Sequence, residues 1–227
     1  MGRERAVGIA RGAGDAFSGP RKRLVERLRE QGVRDARVLD VMARVPRHRL
    51  VDEALWHRAY EDVALPIGDG QTISAPGIVA LMSETLELRG GESVLEIGTG
   101  SGYQAAVLAR LAATVTSVER IPLLARRART ALDDLGVSNV LVHLGDGTRG
   151  WLPRAPYDAI LVTAGGPEVP APLLEQLAPG GRLVGPFGPR AGQELVRTRR
   201  AADGTLTEER LGPCHFVDLL GDHGWDT

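Results

Sequence analysis

Three glycines between a strand pattern and a helix pattern form the segment best suited to hold a small ligand. Residues 96–104 read Glu-Ile-Gly-Thr-Gly-Ser-Gly-Tyr-Gln and follow a short apolar run. Glycine has no Cβ, so it accepts positive φ and lets a ligand approach the backbone N–H groups at a helix N-terminus. We interpret this turn as a ligand-binding loop. The alternative is that the glycines only shape a tight turn.

The glycine spacing narrows the choice of ligand. The dinucleotide fingerprint G-x-G-x-x-G requires a third glycine at position 103, which is Tyr103 here. With Glu96 at the strand end, the G-x-G-x-G pattern is similar to the first motif of S-adenosylmethionine (AdoMet) methyltransferases, whose ligand has no pyrophosphate. This resemblance implies that AdoMet is bound by Glu96, Gly98, Thr99, Gly100, Ser101 and Gly102.

Two further strand ends carry residues suited to a nucleoside. Glu119 lies 21 positions after Gly98, where its carboxylate can accept hydrogen bonds from both ribose hydroxyls. Asp146 can accept from an adenine amino group, and the Gly147 backbone can contact a ring nitrogen. The alternatives are a surface glutamate and an ordinary Asp-Gly turn. Ligands of doubly wound sheets bind outside the carboxyl ends of the strands. Because residues suited to a nucleoside recur at successive strand ends, the sequence predicts a bound nucleoside.

The elements that position these residues alternate between strand and helix patterns. Helical connections between strands predict right-handed crossovers and a parallel sheet. Asp203-Gly204, flanked by the strand patterns 193–200 and 205–211, predicts an antiparallel hairpin. The predicted class is α/β, a Rossmann-like, doubly wound, mostly parallel sheet with an antiparallel C-terminal edge. The expected strands are Ser93–Ile97, Thr114–Glu119, Val140–Leu144, 158–163 and 182–187, with helices near 103–111, 122–135 and 172–177.

The region before the sheet shows helical periodicity and then little periodicity. Two short amphipathic helices are expected, one from Pro20 to Gly32 and one that Pro46 ends. Residues 47–75 have few periodic signals, as functional segments often do, and a helix follows from Pro76 to about residue 88. We divide the chain into a flexible tail, 1–19, and one domain, 20–227. Its residues 20–92 form the helical and groove-forming part, and residues 93–227 form the α/β core.

Composition disfavours several classes of function. The hydrophobic content of 43% is ordinary for a globular protein. The formal net charge of −1 provides no positive electrostatic field that would attract nucleic acid. No apolar run approaches the roughly 18 residues of a membrane span. The single cysteine, Cys214, suits a reducing compartment, and residues 1–19 lack a secretory apolar core. We expect a cytoplasmic protein that binds no nucleic acid, membrane or metal.

A second group of motifs resembles one methyltransferase family. Gly68-x-Gly70-Gln71-Thr72-Ile73-Ser74-x-Pro76, preceded by Tyr60-Glu61-Asp62, closely resembles the protein-L-isoaspartate O-methyltransferases, which repair damaged aspartyl and asparaginyl residues. The resemblance extends from about residue 24 to the C-terminus. Other matching segments are Val45-Pro46-Arg47-His48, Glu119-Arg120-Ile121-Pro122, Gly145-Asp146-Gly147, Val162-Thr163-Ala164 and Pro179-Gly180-Gly181-Arg182-Leu183.

The chain departs from this family at several positions. Ala75 replaces a common glutamine, Gly77 stands where a histidine or aromatic residue is common, and Asp218 replaces a usual proline. Gly77 changes the expected detail of the peptide groove. Residues 1–19 have no recognised counterpart.

The resemblance implies a reaction and its residues. The free α-carboxyl group of an isoaspartyl residue in a peptide or protein substrate is ionised at neutral pH, so no general base is needed. Its methyl ester would cyclise to a succinimide; the β-carboxylate of D-aspartyl residues is a further possible acceptor. Ser74 is the implied catalytic residue, although a serine before Pro76 is also a plausible helix cap. The expected substrate groove consists of Gln71, Thr72, Ile73, Ser74, Val162, Thr163 and Ala164.

Two other functions fit the same residues. The first is an AdoMet methyltransferase that esterifies ordinary aspartate in a dedicated peptide, which the altered residue Gly77 keeps open. The second is a nucleoside-binding module without turnover. His48 and His57 are interpreted as structural or exposed.

Overall fold

The computed structural model of the chain describes residues 16–226. Two 3-10 helices, Arg47–Leu50 and Glu53–Arg58, lie between the second α-helix and the first strand. The helices and strands follow in the order α1 (Ser18–Glu30), α2 (Ala36–Arg44), β1 (Leu65–Gly68), β2 (Gln71–Ile73), α3 (Pro76–Thr85), β3 (Ser93–Ile97), α4 (Tyr103–Leu108), β4 (Thr114–Glu119), α5 (Pro122–Asp134), β5 (Val140–Leu144), β6 (Tyr157–Val162), α6 (Ala171–Glu175), β7 (Leu177–Phe187), β8 (Glu194–Arg200) and β9 (Leu206–Pro213).

Seven strands form one sheet in the order β5-β4-β3-β6-β7-β8-β9. The pairs from β5 to β7 are parallel, and β8 and β9 are added antiparallel. The chain moves outward from β3 to β5 and then returns to β6 on the other side of β3. The predicted fold class is confirmed, and the switch point between β3 and β6 opens a crevice at their carboxyl ends.

The central strands are apolar because helices and connecting segments cover both faces of the sheet. Val94, Leu95, Ile160 and Leu161 have no exposed surface, as expected for parallel strands with two covered faces. All six residues of α4 are buried as well. The strand ends at the switch point are therefore fixed by the most tightly packed part of the molecule.

The boundaries of β3, β4 and β5 match those predicted, and the antiparallel hairpin around Asp203-Gly204 is confirmed. The structure begins β7 at Leu177, five residues before the predicted strand, and ends α6 at Glu175. Gly180 has a φ of 79°, so the Pro-Gly-Gly sequence that resembles a turn is an irregular part of the strand.

The N-terminal part differs from the prediction in detail. The first helix begins at Ser18, because proline is tolerated in the first turn of a helix and Pro20 does not have to start it. Residues 1–15 of the predicted tail lie outside the described residues, so the domain division stays a prediction. No helix within residues 16–226 is both long and apolar enough to cross a membrane.

Candidate active site

A cavity opens where the carboxyl ends of β3, β4 and β6 meet. The glycine loop forms its base, the hairpin β1–β2 covers one side, and a segment near the C-terminus covers another. Its lining includes Gln71, Thr72, Ile73, Ser74, Ile97, Gly98, Thr99, Gly100, Ser101, Val118, Glu119, Arg120, Ile121, Leu124, Gly147, Thr163, Ala164, Val217, Asp218, Leu219 and Leu220.

The glycine loop has the backbone conformation that its sequence requires. The φ angles of Gly98, Gly100 and Gly102 are 96°, 54° and 85°, and residues with side chains are strained there. A Cβ on Gly98 would also collide with the hydroxyl of Thr163. Gly98 and Gly100 line the cavity. Gly102, at the start of α4, lies close to the side chain of Leu132 on α5 instead.

Glu119 fixes the loop and still has hydrogen-bonding capacity towards the cavity. Its carboxylate accepts the backbone N–H of Gly100 at 2.8 Å and that of Ile121 at 2.9 Å. Each carboxylate oxygen can accept a second hydrogen bond. The side chain is 5% exposed and lines the cavity, so a ribose diol matches the remaining acceptors.

Glu96 lies beneath the loop and does not line the cavity. It has no exposed surface, and the Ser117 hydroxyl donates a hydrogen bond to it. The pKa of Glu96 is raised to about 8, mainly by burial and to a smaller extent by the nearby Glu119, against the opposing effect of the Ser117 hydrogen bond. The other partner of Ser117 is Thr99 in the loop. Glu96 therefore lies outside the cavity lining, in a position that supports the loop, and its predicted contact with the cofactor remains a prediction.

Asp146 and Gly147 have different relationships to the cavity. Gly147 lines it, and a Cβ there would overlap Ile97. The carboxylate of Asp146 is not part of the lining; it accepts the N–H and hydroxyl of Thr148, at 2.9 and 2.7 Å, and the N–H of Asp222 at 2.9 Å. Its predicted hydrogen bond with the adenine amino group remains a prediction.

The predicted substrate groove is largely assembled. Residues 71–74 line one side of the cavity, and Thr163 and Ala164 line another. Val162 is fully buried in the core instead, because alternate strand residues point to opposite faces and this one is turned away from the cavity.

Ser74 is half-buried in the cavity wall, and the structure describes no hydrogen bond for its hydroxyl. The helix cap residue is Ala75, without a side-chain hydrogen bond. The carboxylate of Asp62 accepts the N–H of Gly77 at 2.6 Å and so provides the side-chain cap of this helix. The alternative interpretation of Ser74 as a helix cap is therefore wrong.

Sequence reasoning missed the segment that covers the cavity near the C-terminus. Val217 and Leu219 pair with Gly165 through backbone hydrogen bonds of 2.7 and 2.9 Å. Asp218, which departs from the family pattern, forms an ion pair with Arg190 at 2.8 Å. Apolar Val217 and Leu219 on either side of the charged Asp218 are a strand-like signal, but the pairing of this segment with Gly165, more than 50 residues earlier, has no local signature.

The cavity has space, acceptors and apolar walls that suit AdoMet. Glycines leave space at the loop, Glu119 has acceptors for a diol, and Ile97, Val118 and Ile121 provide apolar walls for a purine. The residues present therefore fit this cofactor.

Comparisons with known proteins identify the family. The family model "Protein-L-isoaspartate(D-aspartate) O-methyltransferase (PCMT)" matches residues 19–224. The chain is 55% identical over 214 residues to a protein-L-isoaspartate O-methyltransferase of Syntrophus aciditrophicus, covering 93% of this chain and 98% of the relative. It is 56% identical over 211 residues to protein-L-isoaspartate O-methyltransferase 1 of Syntrophobacter fumaroxidans, covering 92% and 98%.

Solved structures agree with this result. A protein-L-isoaspartate O-methyltransferase structure superposes with a TM-score of 0.82 at 32% identity, covering 90% of this chain and 67% of the other. A candidate enzyme of the same kind from Plasmodium falciparum, in complex with S-adenosyl-L-homocysteine, has a TM-score of 0.77 at 25% identity, with 88% and 98% covered. The chain belongs to the protein-L-isoaspartate (D-aspartate) O-methyltransferase family, and its cofactor is AdoMet.

Proposed function

We propose that this chain transfers the methyl group of AdoMet to the free α-carboxylate of L-isoaspartyl residues in damaged proteins. The observation that carries the proposal is the hydroxyl of Ser74, unpaired among the described residues, in a groove that adjoins the glycine loop. When bound, AdoMet supplies a methyl group on a positively charged sulfur, and a carboxylate displaces that sulfur to form a methyl ester and a neutral thioether.

The residues of the chain act by positioning and by excluding water. The acceptor carboxyl, with a reference pKa of roughly 3.5, is ionised at neutral pH and needs no base. Ser74 donates a hydrogen bond to that carboxylate and keeps one oxygen directed at the methyl group. Ile73 and Leu219 shield the site from water. Correct orientation alone can remove about 7 kcal/mol of an activation barrier.

Residues at the carboxyl ends of the strands provide the contacts with the cofactor. Glu119 accepts hydrogen bonds from the ribose hydroxyls with its two remaining lone pairs, and the backbone of Gly147 contacts the adenine ring. Asp146 accepts from the adenine amino group once its contact with the Asp222 N–H loosens. Glu96 acts only through the loop above it.

The product ester begins a repair sequence. The backbone N–H of the following residue attacks the ester, methanol leaves, and water hydrolyses the resulting succinimide to aspartate or isoaspartate. The β-carboxylate of a D-aspartyl residue is a second proposed acceptor. The cytoplasmic location and the absence of nucleic-acid and membrane partners remain predictions from the sequence.

The test is transfer of radiolabelled methyl groups from AdoMet to paired peptides that differ only in isoaspartate versus aspartate. The free carboxylates of the isoaspartyl and aspartyl residues differ by one methylene in their distance from the peptide backbone. A misplacement of about 1 Å can cost roughly a hundredfold in rate. We expect methylation of the isoaspartyl peptide alone. Comparable rates on both peptides would instead indicate an enzyme that modifies ordinary aspartate, and AdoMet binding without transfer would indicate a binding module.

A further inference from the structure

A second groove lies beside the active-site cavity. It has a volume of about 540 Å³ and runs between the 3-10 helices, the first strand of the hairpin and α5. We call it the arginine groove; it is lined by Arg49, Val51, Leu55, Pro66, Ile67 and Arg127. Its floor is apolar, and its rim is basic.

The arginine groove is continuous with the active-site cavity. Gly100, Ser101 and Leu124 line both of them. The side chain of Ile67 approaches within 3.4 Å of the point where a Cβ of Gly100 would stand, so the hairpin and the glycine loop form the shared rim. An extended polypeptide advances about 3.3 Å per residue. A chain with one residue in the cavity can therefore place residues a few positions away in the groove.

The basic rim has no acidic partner of its own. Arg49, Arg126 and Arg127 are exposed and border one surface. Arg49 lies in the first 3-10 helix, and Arg126 and Arg127 lie on α5. Within residues 16–226 no hydrogen bond or ion pair is described for the guanidinium groups of these three arginines, whereas those of Arg44 and Arg58 pair with neighbouring carboxylates. A guanidinium group recognises carboxylates through paired N–H donors.

The acidic residues nearby do not neutralise the rim. Asp52 caps its own 3-10 helix by accepting the N–H of Ala54 at 2.9 Å. Asp134 is the second acidic residue bordering this surface, so three arginines and two aspartates leave it net positive.

We propose that the arginine groove binds an acidic stretch of the substrate polypeptide, a few residues away from the isoaspartyl residue. The inference rests on the proposed function and adds a preference to it: damaged sites with neighbouring Asp and Glu residues are methylated more efficiently. The apolar floor accommodates the stems of the flanking side chains, and the arginines pair with their carboxylates.

The test compares isoaspartyl peptides of equal length that carry four Glu or four Gln residues, placed on either side of the isoaspartyl residue. For the wild-type enzyme at low salt we expect kcat/KM to rise about fivefold with the Glu flank on one side, through a lower KM. Exposed ion pairs are individually weak and additive at best, so a larger factor is not expected. The preference should disappear at about 0.5 M salt because exposed charges are screened.

Variants locate the contact. The double variant Arg126→Gln/Arg127→Gln should lose the preference and keep the rate on the Gln-flanked peptide. Arg110→Gln is the matched control, since Arg110 is exposed and follows α4, away from the groove. Equal kcat/KM for both flanks in the wild type, or a preference that survives the double variant, overturns the groove proposal. Inactivity on every isoaspartyl peptide would instead contradict the proposed function.

Discussion

The carboxylate of Asp62 accepts the backbone N–H of Gly77 at 2.6 Å, and a Cβ on residue 77 would stand 2.7 Å from the same carboxylate. Asp62 thus satisfies a free N–H group at the start of α3. Gly77 faces Asp62 and is not part of the active-site lining. A side chain at position 77 would require the Asp62 carboxylate to move, and the departure from the family at this position lies outside the lining of the active-site cavity.

Replacing Asp62 should affect both the helix and the reaction, because α3 begins two residues after Ser74. We expect Asp62→Ala to reduce stability by about 1 kcal/mol, as loss of a cap does, and to lower kcat by displacing Ser74. Asp62→Asn, which keeps an acceptor oxygen, should retain most of both. Thermal unfolding and steady-state kinetics measure the two effects. Equal kcat in all three proteins would show that the cap does not position Ser74.

Ser74→Ala should separate catalysis from stability. The hydroxyl has no partner among the described residues and caps no helix, so the melting temperature should stay within about a degree of the wild type. Loss of one hydrogen bond to a charged acceptor is worth about 1.5–3 kcal/mol, so we expect kcat to fall by one to two orders of magnitude. Ser138→Ala, at an exposed position, is the control. A lower melting temperature with an unchanged rate per folded molecule would rule out the catalytic assignment.

Glu119→Gln should weaken AdoMet binding without unfolding the chain. The glutamine oxygen can still accept one of the two N–H groups that Glu119 holds, from Gly100 and Ile121. Charge-assisted hydrogen bonds contribute about 1.5–3 kcal/mol, so the dissociation constant should rise roughly tenfold to a hundredfold in titration calorimetry. Glu26→Gln on the exposed face of α1 is the control. An unchanged dissociation constant would remove Glu119 from the proposed ribose contact.

Local signals predicted the α/β core well. The glycine loop and the ends of β3 to β5 follow from periodicity, and the hairpin at Asp203-Gly204 follows from its turn residues. The same turn signal is present at Asp69-Gly70, where φ is 51° and 69°, and it would have predicted the hairpin β1–β2 that carries Gln71 to Ile73. That hairpin was missed because its strands are too short to show alternation.

Tertiary contacts account for the other differences. Glu96 is predicted to contact the ligand because it lies at the strand end before the glycine loop. Successive side chains of a strand point to opposite faces of the sheet. The side chain of Glu96 is buried beneath the loop, where Ser117 contacts it. Asp146 is predicted to accept a hydrogen bond from an adenine amino group, and in the structure it accepts the N–H of Asp222, 76 residues later. No pattern within either segment specifies that contact.

The buried carboxyl of Glu96 predicts a dependence of stability on pH. Burial raises the pKa of Glu96 to about 8 from an ordinary value of 4.5, so the folded state holds a proton that the unfolded state releases at lower pH. Its contribution to stability is complete below about pH 4.5 and is lost as pH rises through about 8. The effect between these limits is on the order of a few kcal/mol.

Glu96→Gln tests this because its side chain has the same shape and no titrating proton. We expect the wild type to lose unfolding free energy between about pH 4.5 and pH 8 relative to the variant, measured by urea denaturation across that range. The variant should still bind AdoMet, since residue 96 does not line the cavity. Glu168→Gln, on a loop after β6, serves as the control for loss of one carboxylate. Parallel stability curves for wild type and Glu96→Gln would show that Glu96 is ionised in the folded protein. A large loss of AdoMet affinity in Glu96→Gln would return this residue to the cofactor contacts that the sequence predicted.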